Sequence, residues 1–351
     1  MPQDLYAGCG ESNGLPSGGV PRPRRLEPPT WEESMEYWRK WMSEPFLDDE
    51  VMDSTPPSCE KKDFRLPRLR RCPVDIGDIK FVGRVNPGGN HYTNFGEPDG
   101  GLDGYNWKVR LEKGGPTRVM KMFWDTNPPP PYYFAAQREC QNAAVIQMIA
   151  AALSHPQHGP ILIDPNPDSE TAAKSNLRAF SNEVRQKRRV STTENLVSIT
   201  TMPRMRKCYG WLKFSSKELD RIPRGLFPPV MKLDLKTKRC IYEGMEYTAV
   251  VYEYIEEGEN KIDDVKSVLD FLWQVGFAFP QLSKENNWKS GVLIDHSDIV
   301  APGWLGWRVR EYGPRRAKGV LWSVCPDARN RVLEKTGDDG DGKKDAEGDK
   351  T

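Results

Sequence analysis

The sequence predicts an α+β protein in two unequal lobes: a small antiparallel sheet with one helix, then a shorter, mainly helical part. Three observations predict it. Segments with period-two alternation or β-branched apolar residues, bounded by Gly or Pro, come first, at DIKFVGRV, WKVRLEK and TRVMKMFW, the pattern of a half-buried meander. A long stretch with Ala, Ile and Met at helical spacing follows over Tyr132–Leu153. Strand signals then return before an amphipathic helix, a polar loop and a last strand and turn. At 351 residues the chain has room for one large two-lobed domain with tails.

Residues 1–29 are rich in Gly, Pro, Ser and Arg and are predicted to form a disordered tail. Thr30-Trp31-Glu32-Glu33 opens a helix as a capping box, with Trp31, Met35, Trp38 and Met42 along one side. That aromatic face has to dock, on this chain's own domain or on a partner. Together with the Pro-rich, charged stretch at 45–75, read as a linker, it makes a docking segment over 30–75. The first lobe spans 76–255 and carries a polar insertion at 164–200, helical around Ser169–Arg188 and ending in an exposed KRRVST run. Arg188-Arg189-Val190-Ser191 has the form of a basic-directed phosphosite, although a solvated charge run explains it as well. Strands are expected at Arg206–Phe214, Val230–Leu235 and Tyr247–Ile255. Residues 256–330 form the truncated second lobe, opening on a helix with Val265, Val268, Leu269, Leu272, Gly276 and Phe279 on one face. A charged tail occupies 331–351.

Composition narrows the function classes. Lysine plus arginine (51) nearly cancels aspartate plus glutamate (50), so no global field steers the chain to nucleic acid or an anionic membrane. The seven cysteines lie scattered without CxxC pairs and read as reduced thiols, and the four histidines form no zinc pattern. Neither a secretory leader nor an apolar run of about 18 residues is present in the sequence, so an intracellular protein is expected.

Four constellations carry chemistry. Lys121 in VMKMF shares a strand face with Val119 and Phe123 by period two. An ammonium on an apolar sheet face needs an anion, since burying it unpaired costs several kcal/mol. Glu139, eighteen residues on, can supply it, because its helical stripe holds Ala135, Ala143 and Ile146. The plainer alternative is that Lys121 snorkels at the sheet edge and Glu139 is solvated. Gly83, Gly88 and Gly89 lie where a phosphate-covering hairpin would sit. Yet GRVNPGG is not G-x-G-x-x-G, and Pro87 removes a backbone N–H, so a poor grip on nucleotide is expected. At VVYEYI the Glu253 carbonyl and the Ile255 N–H fall at a strand-to-helix hinge, where backbone groups can meet an adenine edge.

The fourth constellation is FPQLSKENNWKSGVLIDHSD, residues 279–298. A phosphotransferase catalytic loop has an Asp that accepts the substrate proton, an Asn five residues later and, after a short hairpin, an Asp-Phe-Gly metal turn. Here Phe279-Pro280-Gln281 stands in place of His-Arg-Asp, Asn286 falls five residues after Gln281, and Asp295-His296-Ser297 stands at the turn. Asn286 and Asp295 are candidate Mg²⁺ ligands, being hard oxygen donors, with Asn287 and Asp298 as competitors. Asx capping in a loop is the plainer reading of all four. Gln281 is an amide and cannot act as a base, and losing that assistance costs about 10²–10⁴-fold in rate. His296-Ser297 removes the glycine hinge and the aromatic plug of the metal turn.

These residues resemble the protein-kinase-like superfamily over 76–325, and more specifically the fungal family of the Sim-four kinetochore complex subunit. The FVGRV start, VMKMF with Lys121, RECQNAAVI with Glu139, RKCYGWL, and LIDHSDIVAPG followed by GWR carry the resemblance. It implies a bilobal kinase-like fold, ATP with Mg²⁺ as the ligand of Gly83, Lys121, Glu139, Glu253, Ile255, Asn286 and Asp295, and a non-catalytic, centromere-associated role in the nucleus or cytoplasm. The insertions after Gly89 and at 164–200 depart from it, and the chain ends soon after Trp322. The expectation is therefore a pseudokinase scaffold with protein partners, whose contact elements are the helix at 30–43, the basic run at 185–189 and the tail at 335–351. The alternative is a divergent active phosphotransferase in which Asp298 or Glu285 replaces the missing acid. A nucleic-acid binder using Lys187, Arg188, Arg189 and Trp211 is disfavoured, with no salt-sensitive shift of generic DNA expected.

Overall fold

A computed structural model describes residues 30–85, 102–187, 195–232, 238–280 and 285–321. The expectations for both tails, Gly88 and Gly89, the RRVS run and Gln281 lie outside the described residues. Strands β1 (Leu47–Val51), β2 (Leu69–Arg71), β3 (Lys80–Arg84), β4 (Gly104–Arg110), β5 (Arg118–Phe123), β6 (Cys208–Ser215) and β7 (Glu246–Glu253) form one sheet in the order β1-β2-β6-β7-β5-β4-β3. The β3-β4-β5 meander is where alternation placed it, with β5 the third strand and antiparallel to both neighbours.

Two expectations are corrected here. The sheet is mixed and seven-stranded rather than small and antiparallel, because β1 and β2 pair parallel with one another and β2 pairs parallel with β6. Both strands come from the stretch read as a linker, which also holds a five-residue helix, Lys61–Arg65. LDDEV and LRR show no alternation that sequence reading could use. Long-range contacts fix them instead: Leu69 is fully buried and the Trp211 indole donates to the Asp48 carbonyl at 2.8 Å. Gly210 permits the close approach. Its φ is +105° and a Cβ there would stand 2.6 Å from the Cys72 nitrogen and 2.7 Å from the Arg70 carbonyl. Gly210→Ala is expected to cost ~2 kcal/mol or more, read as a lower urea midpoint.

The central helix is α2 (Ala135–Ser154), with α1 being Trp31–Met42. α2 starts three residues later than predicted, since Tyr132–Phe134 are held in non-helical contacts: the Trp38 indole donates to the Tyr132 carbonyl, and the Tyr133 hydroxyl donates to Asp103. It is buried on nearly every side, the mark of a core helix. Its first half packs with Val119, Phe123, Val250 and Tyr252 on one sheet face. Tyr105, Trp107, Met120, Met122 and Tyr247 fill the other face. α1 has the Thr30/Glu33 capping box and docks on this chain, its Trp41 ring 5.9 Å from Trp304.

The second half of α2 packs away from the sheet with α3 (Glu170–Arg178), α4 (Asn182–Lys187) and α5 (Ile262–Gln274). The insertion at 164–200 is thus two helices rather than one, and Ala173, Leu177, Phe180 and Arg185 bury it in the core. Beyond α5 the described residues are not mainly helical. Short 3₁₀ turns, a hairpin of β8 (Trp288–Lys289) and β9 (Val292–Leu293), and a four-residue helix, Ala317–Val320, carry the buried Trp304 and Trp307. Glycine and proline in APGWLGW break regular structure there while the indoles still bury apolar surface. Among the described residues the cysteines Cys59, Cys72, Cys140, Cys208 and Cys240 are free, and no helix is long and apolar enough to cross a membrane.

Candidate functional site

Three elements distant in sequence bring one cation and two acids together. β5 presents Lys121 on the face it shares with Val119 and Phe123, and α2 presents Glu139 opposite. The turn after β9 presents Asp295. Lys121 Nζ lies 2.5 Å from Glu139 Oε2 and 3.0 Å from Asp295 Oδ1. Lys121 is 6% exposed and Glu139 fully buried, so neither snorkels nor is solvated.

The two acids are unequal. Burial pushes the Glu139 carboxyl up to about 7 against the opposing pull of Lys121, and its Oε1 has no hydrogen-bond partner among the described residues. Burial also acts to raise Asp295, but the Lys121 charge and the Ser297 hydroxyl and N–H hold it down to about 2. Ser297 donates to Asp295 Oδ1 through its hydroxyl at 2.7 Å and its N–H at 3.0 Å. For Lys121, burial works against the charge, and the Asp295 and Glu139 carboxylates outweigh it, so the ammonium is held above its ordinary range. Asp295 therefore carries the fixed negative charge facing Lys121.

Several flanking residues escaped the sequence reading. Asn142, one turn beyond Glu139, donates to the His296 and Ile299 carbonyls at 2.7 Å each and so pins the turn that carries Asp295. An amide three residues after Glu139 on an otherwise apolar stripe was the available signal. Arg206 is buried, stacks 4.5 Å over the Tyr252 ring, and donates to the Glu253 carbonyl at 3.1 Å and the Ile294 carbonyl at 2.5 Å. In RMRKC it looks like a surface charge. His296 is a buried aromatic neighbour of Tyr252. Its ring is 1% exposed and meets Tyr252 edge-on at 5.4 Å, and burial first, then Arg206, pushes it down to about 3, so it packs as a neutral aromatic.

The other expected site residues fall as follows. Gly83 lies at an irregularity in the β3–β4 register, where a Cβ would meet only Lys108 side-chain carbons at 3.8 Å, so no close approach demands glycine. At Glu253 the carbonyl already accepts from Arg206 and the carboxylate pairs with Arg204 at 2.7 Å. Ile255 is buried. Asn286 is exposed, whereas Asn287 donates to Asp298 at 2.8 Å, so those two competitors are joined to each other. Glu285 is half-buried in the same 3₁₀ turn.

The donor set bears on Mg²⁺. Among the described residues no cluster of three His, Cys, Asp or Glu side chains could hold a metal. Mg²⁺ bound with phosphates needs only one or two protein carboxylates, and Asp295 Oδ2 lies outside the hydrogen-bond network that holds Oδ1. Asp295 thus fits as a single anchoring ligand, and Lys121 as the cation for a phosphate oxygen. Comparison with protein-family models, with curated proteins and with solved structures returned no match for this chain.

Proposed function

We propose that this chain is a kinase-like scaffold that has lost phosphoryl transfer and works through protein partners. One observation carries the reading: Lys121 on the third strand of the meander is held by Glu139 of the following helix and by Asp295 of the turn after β9. A strand lysine paired with a helix glutamate and a metal-turn acid is the constellation that orients nucleotide phosphates in protein kinases. The proton acceptor is what the chain lacks, for Gln281 is an amide. Asp298, one candidate replacement, is bonded to Asn287. Where nucleotide binds, Mg–ATP would act as a structural ligand. The kinetochore role implied by the resemblance, and a nuclear or cytoplasmic location, belong to the same proposal.

The test is ATP turnover by the full chain with Mg²⁺, alongside Asp295→Asn. The expected result is phosphate release at the background rate for both proteins, with any thermal shift produced by Mg–ATP weakened in the variant. Turnover by the wild type that Asp295→Asn abolishes would replace the scaffold with the divergent phosphotransferase.

A further inference from the structure

A cavity of about 480 Å³ lies apart from the lysine cleft, between α1, the segment Phe64–Leu66, α3 and Pro302–Trp304. Its apolar lining includes Trp41, Phe64, Leu177 and Trp304, of which the last three are almost fully buried. Its size is that of an ordinary ligand pocket. Lys40, Arg65 and Arg178 also line it, each from a different element, and all three are exposed. Among the described residues none of the three has an ion pair. A fourth lining cation, Lys174, is already paired with Glu170 at 2.6 Å, and the one lining carboxylate is Glu44. Positive charge therefore outweighs negative around an aromatic pocket. Like charges gathered at one mouth raise a local field that a ligand of opposite sign relieves.

We propose that this cavity takes an acidic peptide segment of a partner protein. One bulky apolar side chain enters the cavity against Trp41, Phe64 and Trp304, and carboxylates on either side meet Lys40, Arg65 and Arg178. Cations contributed by three separate elements suit several carboxylates spaced along a chain better than one compact anion. Tyr37, 47% exposed, also lines the cavity and carries its aromatic surface along α1, which suits an extended ligand. This rests on the scaffold reading only for the kind of ligand. The probe touches no residue of the lysine cleft, so either reading can fail alone.

The probe is the synthetic peptide Asp-Asp-Glu-Phe-Glu-Asp-Asp, blocked at both ends and titrated into the full chain while tryptophan emission is followed, because Trp41 and Trp304 line the site. A saturable change in the range of about 10–100 µM is expected. Arg65→Glu and Arg178→Glu should each weaken it about tenfold or more, a step of ~1.4 kcal/mol. Their thermal midpoints should stay unchanged, since both side chains are exposed. The double variant should bind the charge-reversed peptide Lys-Lys-Lys-Phe-Lys-Lys-Lys instead. No saturable change up to about 1 mM, equal affinity for a peptide with Ser in place of Phe, or tighter binding of 1-naphthyl phosphate than of the peptide would each overturn the proposal, the last by assigning the cavity to a small anion.

Discussion

Lys121→Met is expected to destabilise the protein by ~3–5 kcal/mol at pH 8, the cost of breaking a buried pair and leaving its partner charge behind. Methionine matches the length of the lysine stem, so the packing against Val119 and Phe123 survives and the loss is chiefly electrostatic. The pH dependence separates the two causes. In the wild type Asp295 is held down at about 2, below its ordinary 3.8, so its contribution is present above 3.8 and lost as pH falls through about 2. Glu139 is held up at about 7, above its ordinary 4.5, so its contribution is present below 4.5 and lost as pH rises through about 7. Without the ammonium both acids bind protons more tightly in the folded state than they do in the wild type, although Ser297 still donates to Asp295. The variant should therefore regain stability relative to the wild type on acidification, and its deficit at pH 5 should be well below that at pH 8. Urea denaturation at the two pH values measures it. A deficit that stays constant would mean that lost packing, not unpaired charge, sets the cost.

The pairing of Lys121 with Glu139 was legible because both residues obey local periodicities, one on a strand and one on a helix, and a buried cation demands a buried anion. Asp295 was legible from a short motif. Arg206, Asn142, β1 and β2 were not, and the physical reason is shared. Each owes its position to contacts distant in sequence: Asp48 with Trp211, Asn142 with His296 and Ile299, Arg206 with Glu253 and Ile294. Their burial is compensated by main-chain carbonyls, whose availability depends on where helices and turns end in space. Composition and spacing carry no record of that. The same holds for the loop-rich part after α5, where the buried Trp304 and Trp307 sit among glycine and proline and follow no helical or strand period.

The sharpest instance is Arg185, which stands at the start of the basic run that the sequence presented as solvated surface. The side chain is 1% exposed. Its guanidinium donates to the Ala152 carbonyl at 2.8 Å, to the His155 carbonyl at 2.7 Å, and twice to the Gly159 carbonyl, at 2.9 and 2.8 Å. Ala152 lies in the last turn of α2 and His155 follows its end, where carbonyls lack partners within the helix and the macrodipole favours a cation. α4 thus adds from outside to the bonds that Ser154 and His155 make with the Ala150 and Ala151 carbonyls at the end of α2. Arg185→Leu removes four hydrogen bonds to main-chain carbonyls and takes from Gly159 the guanidinium that it accepts from twice, and is expected to cost ~3 kcal/mol or more. Arg185→Lys keeps the charge without the planar fork and should recover only part of it. Lys187→Ala, exposed two residues on, should change stability by no more than about 0.5 kcal/mol. Urea midpoints rank the three, and faster amide exchange confined to the last turns of α2 in Arg185→Lys would locate the effect. If Arg185→Leu proves as mild as Lys187→Ala, the segment at 164–200 is a surface appendage after all, and the core must be drawn without it.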